Sequence, residues 1–214
     1  MKRNIIIQKI KNRIQEAKKG QIFILTDFLD LASYDAVKKA LSRLAKSGEI
    51  IRIRRGIYKS PNYNEFLELE VPVSPDDLAK AIARNYNWTI GPKGDAALNI
   101  LGLSTQVPSV YSYITDGPYK EIEYEGVTIV FKKRSNRNIS GHSYKTILII
   151  EAIRTLGKDN INDKVRYLIA KRCNQEDLRL LNEDGKKSDR WIYEEIKKIL
   201  DFEEYDYAGL SKTF

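Results

Sequence analysis

The chain has 214 residues, of which 42% are hydrophobic and 31% charged, with a formal net charge of +8. This composition supports one or two packed domains and excludes a disordered chain, and no apolar run is long enough to span a bilayer. A single cysteine, Cys173, excludes an internal disulfide and a multi-cysteine zinc site. The apolar run at residues 5–7 is too short for a signal peptide core, so we expect a cytoplasmic protein.

The positive charge is concentrated in the first 60 residues. This segment has 15 Lys and Arg against 5 Asp and Glu, a net charge of +10, whereas the remaining 154 residues have 22 against 24, a net charge of −2. An excess of this size in one segment indicates an anionic partner, although it does not say which anion.

The spacing of apolar residues predicts the elements of this segment. They are a helix at residues 3–19, a strand at 22–24, a short helix at 27–31, a long helix at 34–46 and a two-stranded hairpin ending near residue 59. Ser33 is a suitable N-cap for the long helix, and Gly56 allows the tight turn of the hairpin. This order of elements predicts a winged helix-turn-helix domain.

In such a domain the long helix lies in the major groove, and the hairpin, or wing, contacts the phosphate backbone or the minor groove. We therefore predict a DNA interface formed by Ser33, Tyr34, Lys38, Lys39, Ser42, Arg43 and Lys46 of the long helix and by Arg52, Arg54, Arg55 and Lys59 of the wing. Three alternatives remain open: a solvated helix face, a charged edge strand that prevents aggregation, and a winged helix used for protein contact.

The rest of the chain predicts a second domain. The sign of the charge changes at residues 61–73, which we interpret as a linker between a winged domain at 1–60 and a C-terminal domain at 74–214. Strands are predicted at residues 109–115, 120–124 and 127–132, and helices at 74–85, 94–101, 144–156, 162–172, 176–181 and 189–200. We expect a turn at Gly91-Pro92 and a frayed tail at 202–214. The predicted fold class is α+β, a winged helix-turn-helix followed by a mixed α/β domain with a small sheet and several helices.

Two runs of residues resemble the AbiEi-type antitoxins. They are LSRLAKSGEIIRIRRGIY at residues 41–58 and AALNILGLSTQVP at residues 96–108. The resemblance covers about residues 22–156, with the two runs in the family's order. It implies a transcriptional regulator whose winged domain binds inverted repeats in the promoter of its own operon. It also implies a C-terminal antitoxin domain that opposes a nucleotidyltransferase-like toxin without a stable complex.

A metal-dependent nuclease is the enzymatic alternative. Asp116, Glu121, Glu123, Glu125 and Lys132 lie on or near the predicted strands, where nuclease cores place acids and a lysine. The Glu-x-Lys pair of such cores is missing, so solvated surface carboxylates are the preferred interpretation. We therefore expect no enzymatic activity, no metal and no cofactor.

Four further features resemble sites, but we expect them to have structural roles. The run GPKG at residues 91–94 lacks the remaining residues of a phosphate-binding loop, so we expect a turn before a helix. His142 has no ligand or acid–base partner near it in the sequence and is expected to be a loop residue. Cys173 has no nearby histidine and is expected to be a structural thiol. The basic run at residues 132–137 is expected to be a loop, although it could extend the DNA interface.

Overall fold

The computed structural model describes residues 2–134, 139 and 141–202. Within them the chain is an α+β protein, as the sequence predicted, with eight α-helices and nine strands. The chain divides after Trp88 into two compact units, called here the N-terminal unit and the C-terminal unit. None of the helices in the described ranges is long and apolar enough to cross a membrane.

The N-terminal unit begins with the predicted order of elements. These are α1 (Lys2–Gln15), β1 (Ile22–Ile24), a 3₁₀ turn (Leu25–Phe28), α2 (Tyr34–Lys46), β2 (Ile51–Arg54) and β3 (Ile57–Lys59). The long helix α2 has the predicted bounds, α1 ends earlier than predicted, and the predicted short helix is the 3₁₀ turn. The strands form an antiparallel sheet in the order β1-β3-β2. This arrangement is compatible with a winged helix-turn-helix.

One apolar core joins the helices of this unit to its sheet. Ile10 and Ile14 of α1 pack with Leu41 and Leu44 of α2 and with Tyr58 of β3. Because β3 is the central strand, its residues are buried, whereas every second residue of the edge strand β2 is exposed. The core therefore fixes α2 and the hairpin against each other.

Residues 61–73 are not an extended linker in the structure. β4 (Tyr63–Asn64) and β5 (Leu69–Glu70) pair as a short antiparallel hairpin. The following helix, α3 (Pro75–Tyr86), packs against β1 and β3, and Arg84 of α3 forms an ion pair with Asp27. The compact N-terminal unit thus includes α3, whereas the sequence predicts this helix as the start of the C-terminal domain. A local change of charge could not reveal these contacts, since their partners are far apart in the chain.

The C-terminal unit combines a four-stranded sheet with five helices in the described ranges. The elements are β6 (Ile90–Lys93), α4 (Asp95–Ile100), β7 (Val110–Thr115), β8 (Lys120–Tyr124), β9 (Val127–Lys133), α5 (Tyr144–Leu156), α6 (Asp163–Ala170), α7 (Gln175–Gly185) and α8 (Arg190–Asp201). The strand order is β6-β7-β9-β8, and β7 and β9 run parallel. The predicted strands and helices are confirmed within a few residues. Of the predicted tail at 202–214, residues 203–214 lie outside the described residues.

The predicted turn at Gly91-Pro92 is wrong, because both residues lie in the edge strand β6. A Cβ atom on Gly91 would lie 2.0 Å from Cγ2 of Ile147, a residue of α5. The glycine therefore permits close packing of α5 on β6. The following helix, α4, has only six residues. A packing role explains the first glycine of the GPKG run without a phosphate.

The variant Gly91→Ala tests this packing. We expect the free energy of unfolding to fall by about 3 kcal/mol, since Ile147 or the backbone of β6 has to move. Urea titration followed by circular dichroism measures the loss. Gly126→Ala is the control, because Gly126 has a φ of +78° but nothing within 4 Å. It should cost about 1 kcal/mol through backbone strain alone. A Gly91→Ala variant as stable as the control would contradict the packing role.

Candidate nucleic-acid interface

The helix α2 has one buried face and one polar face. Val37, Ala40, Leu41 and Leu44 are buried at helical spacing. Ser33 occupies the N-cap position, but its hydroxyl makes no capping hydrogen bond and the residue is exposed. The remaining predicted DNA-contacting residues of the helix are half-buried Ser42 and exposed Tyr34, Lys38, Lys39, Arg43 and Lys46.

The wing directs three arginines outward. Arg52 and Arg54 are exposed on β2, while Ile51 and Ile53, which alternate with them, are half-buried. Arg55 is exposed in the turn, next to Gly56, which has a φ of +81°. A register shift between Arg52 and Arg54 marks an irregularity in the pairing with β3, and such irregularities increase the local twist of a strand.

Several basic residues of the N-terminal unit are neutralised by partners in the same unit. Lys11 pairs with Glu49, and Arg13 pairs with Asp30 at 2.6 Å. The hydrogen bond from Arg13 lowers the pKa of Asp30. The hydrogen bond from Lys11 is the main reason that the pKa of Glu49 is lowered. The charges of these two cations are therefore balanced within the unit.

The predicted interface is different, because seven of its basic side chains form no ion pair in the ranges that the structure describes. They are Lys38, Lys39, Arg43, Lys46, Arg52, Arg54 and Arg55. All seven are exposed. Unbalanced charges of one sign raise the local potential and attract anions.

Lys59 does not belong to this surface, which corrects its predicted role in DNA contact. The residue is 3% exposed. Its Nζ lies 2.7 Å from Oε1 of Glu70 and donates a hydrogen bond of 2.6 Å to the carbonyl oxygen of Val71. The lysine thereby holds the β4–β5 hairpin to β3. The sequence could not reveal this role. A basic residue near the end of a wing has the same neighbours in the sequence whether it contacts DNA or pairs with a glutamate of another hairpin.

The carboxylates of the nuclease alternative do not assemble into a metal site. Among the described residues, no group of three or more His, Cys, Asp or Glu could hold a metal ion. Asp116 accepts a hydrogen bond of 2.8 Å from the backbone N–H of Thr89, which connects the ends of two strands. Glu121 accepts a hydrogen bond of 2.6 Å from the hydroxyl of Tyr119, and this bond raises the pKa of the tyrosine.

The basic run at residues 132–137 is only partly described. Lys132 and Lys133 are exposed at the end of β9, whereas Arg134 pairs with Glu151 at 3.0 Å. Residues 135–138, and with them most of the loop predicted after this strand, lie outside the described residues. Of the basic residues in this run that the structure describes, Arg134 therefore has an ion-pair partner within the C-terminal unit.

His142 lies in a loop, as the sequence predicted, but its side chain is buried. Its side chain is 7% exposed, and its Nδ1 lies 3.2 Å from Oδ1 of Asp184 on α7. The two residues are far apart in the sequence, so no local motif announces the pair. Cys173 is half-buried, and its thiol donates to the carbonyl oxygen of Ile169 at 3.3 Å.

The fold and the site thus define an α+β protein with a basic helix and hairpin in its N-terminal unit. A family model matches residues 9–181, which is most of the chain. The chain belongs to that family, described as a family of unknown function (DUF6088). Comparison with curated proteins gave no match.

The variant Glu70→Gln tests the structural role of Lys59. It leaves the buried ammonium group with neutral acceptors only, the amide oxygen of the new glutamine and the Val71 carbonyl. We expect the free energy of unfolding to fall by about 2 kcal/mol, less than for a fully buried pair because Glu70 is 32% exposed. Thermal and urea unfolding measure the change. Glu65→Gln, on the same hairpin but exposed, is the matched control. Equal stability of the two variants would show that the pair does not hold the hairpin.

Proposed function

We propose that the chain is a DNA-binding regulator of transcription and that its N-terminal unit is a winged helix-turn-helix. One observation carries the proposal: seven exposed basic side chains on two successive elements lack counter-charges in the described chain. Double-stranded DNA supplies closely spaced phosphates along both sides of its grooves. The phosphates of one duplex can therefore balance the positive charges of both the helix and the wing.

The two elements have different expected roles. The major groove admits one α-helix, and α2 presents Ser42 and Arg43 among its polar residues, which can reach base edges. Arg54 and Arg55 lie at the tip of the wing, where short contacts to phosphate oxygens are expected. Phosphate contacts supply affinity and orientation, whereas base contacts supply sequence preference.

From the sequence resemblance alone, we propose that this regulator is the antitoxin and autorepressor of a toxin–antitoxin operon. Its DNA partner would then be an operator with inverted repeats, and its protein counterpart a nucleotidyltransferase-like toxin that it opposes without a stable complex. The proposed location is the cytoplasm, and no catalytic role is proposed for the chain.

The affinity for promoter DNA should fall steeply with salt. The slope of log K against log salt concentration should be about −0.9 per phosphate contact. The double variant Arg54→Gln/Arg55→Gln should make this slope shallower by about 1.8, because two phosphate contacts are lost. Fluorescence anisotropy with a labelled duplex from the region upstream of the gene, over a series of KCl concentrations, measures it.

Lys158→Gln/Lys186→Gln is the control for this experiment. It removes the same charge from two exposed lysines of the C-terminal unit and should leave the slope unchanged. A slope near zero for the unmodified chain would overturn the DNA proposal. An unchanged slope in the wing variant would instead exclude the wing from the interface and favour the rival use of a winged helix, contact with a protein.

The antitoxin proposal has a separate genetic test. Expression of the gene adjacent to this one should arrest growth, and co-expression of this chain should restore it. Co-purification of the two proteins should fail, because no stable complex is expected. An adjacent gene without effect on growth would contradict the antitoxin role but would leave DNA binding untouched.

A further inference from the structure

The C-terminal unit contains a polar cavity that the proposed DNA interface does not use. Its volume is about 300 Å³, which is at the small end of the range for ligand-binding pockets. Arg134 follows β9, Glu151 and Arg154 belong to α5, and Asp184 lies on α7. His142 and Lys187 complete the charged and polar wall, and Ile147 and Ile150 give the cavity an apolar side.

Glu151 organises the two arginines of this cavity. The glutamate is 2% exposed, and its Oε1 accepts hydrogen bonds from Nη1 of Arg134, at 3.0 Å, and from Nη1 of Arg154. Nη2 of Arg154 also donates to Oδ2 of Asp189 at 3.1 Å. A guanidinium carries several N–H donors. The donors left over on these half-buried arginines therefore exceed the carboxylate oxygens that the described residues offer them.

His142 also lines the cavity. Its Nδ1 is buried and has no hydrogen-bond partner among the described residues, although Oδ1 of Asp184 is only 3.2 Å away, close enough for an ion pair. A nitrogen that solvent cannot reach does not contact a ligand in the cavity, so His142 serves here as part of the cavity wall.

The start of α8 also borders the cavity. Asp189 is the N-cap residue of this helix, and its carboxylate pairs with Arg154 instead of making a capping hydrogen bond. The partial positive charge of a helix N-terminus favours a negatively charged group, but the carboxylate of Asp189 already supplies one here.

We propose that this cavity binds a small molecule that carries a phosphate group. A phosphate offers acceptor oxygens and no strong donors, which matches the surplus donors of Arg134 and Arg154. Lys187 lies at the exposed edge, where it adds positive charge. A cationic ligand is disfavoured, because Glu151 and Asp184 are nearly buried, whereas the side chains of the two arginines and of Lys187 are more exposed. Ile147 and Ile150 can contact an organic part of the ligand.

Isothermal titration calorimetry of the full chain at constant ionic strength tests this inference. The probes are inorganic phosphate, adenosine monophosphate and adenosine. We expect both phosphate-bearing probes to bind and adenosine not to bind. Tighter binding of the monophosphate would identify a phosphate ester as the ligand class, and equal binding would identify free phosphate. Binding of neither phosphate probe up to roughly 10 mM would overturn the inference.

Two single variants test whether the phosphate binds in the cavity. Lys187→Gln and Arg134→Gln should each weaken phosphate binding about tenfold, the effect of one lost charge-assisted hydrogen bond. Lys186→Gln is the matched control, because Lys186 is an exposed neighbour that does not line the cavity. If Arg134→Gln fails to fold, Lys187→Gln alone tests whether the phosphate binds in the cavity. The side chain of Lys187 is exposed, so its loss does not disturb the core.

The basic wing is a competing place for a phosphate, so the double variant Arg54→Gln/Arg55→Gln belongs in the same series. Unchanged phosphate binding in that variant, together with weaker binding in Lys187→Gln, supports the cavity. The opposite pattern would place the phosphate on the N-terminal unit and overturn the inference. Neither result depends on whether the chain binds DNA.

Discussion

The N-terminal unit depends on an apolar core that holds α2 and the wing in place although their exposed cations have no ion-pair partner in the described chain. Seven exposed cations on α2 and the wing repel each other, and the described chain offers them no anionic partner. Packing of Ile10, Leu41 and Tyr58 fixes the helix and the hairpin despite this repulsion. Apolar burial of this kind stabilises the unit against the repulsion between its exposed cations.

The two units use arginine in different ways. In the wing, Arg54 and Arg55 are exposed and without ion pairs in the described residues, as suits contact with a large polyanion in solvent. In the C-terminal cavity, Arg134 and Arg154 share the buried carboxylate of Glu151, which fixes their positions. Fixed guanidinium groups are suited to a small ligand of defined shape, because less side-chain freedom is lost on binding. The chain thus has one candidate site for an extended anion and one for a compact anion.

Local patterns in the sequence predicted the elements well and the long-range pairs poorly. The four buried positions of α2 recur at helical spacing, so both ends of that helix were predicted correctly. By contrast, Lys59 was assigned to DNA contact because its partner Glu70 lies on a hairpin that the sequence pattern presented as a linker. The strand β6 was missed because glycine and proline usually indicate a turn. His142 and Asp184 meet only through the packing of the C-terminal unit.

Hydrogen–deuterium exchange of the full chain, with and without a promoter duplex, reports which segments the DNA covers and so tests the proposed interface. Slower exchange is predicted in two segments, residues 33–46 and residues 50–58, which contain the helix face and the wing. The segment around β4 and β5 should change little, since Lys59 and Glu70 are engaged with each other. Unchanged exchange in both predicted segments, at a duplex concentration that saturates binding, would contradict the account.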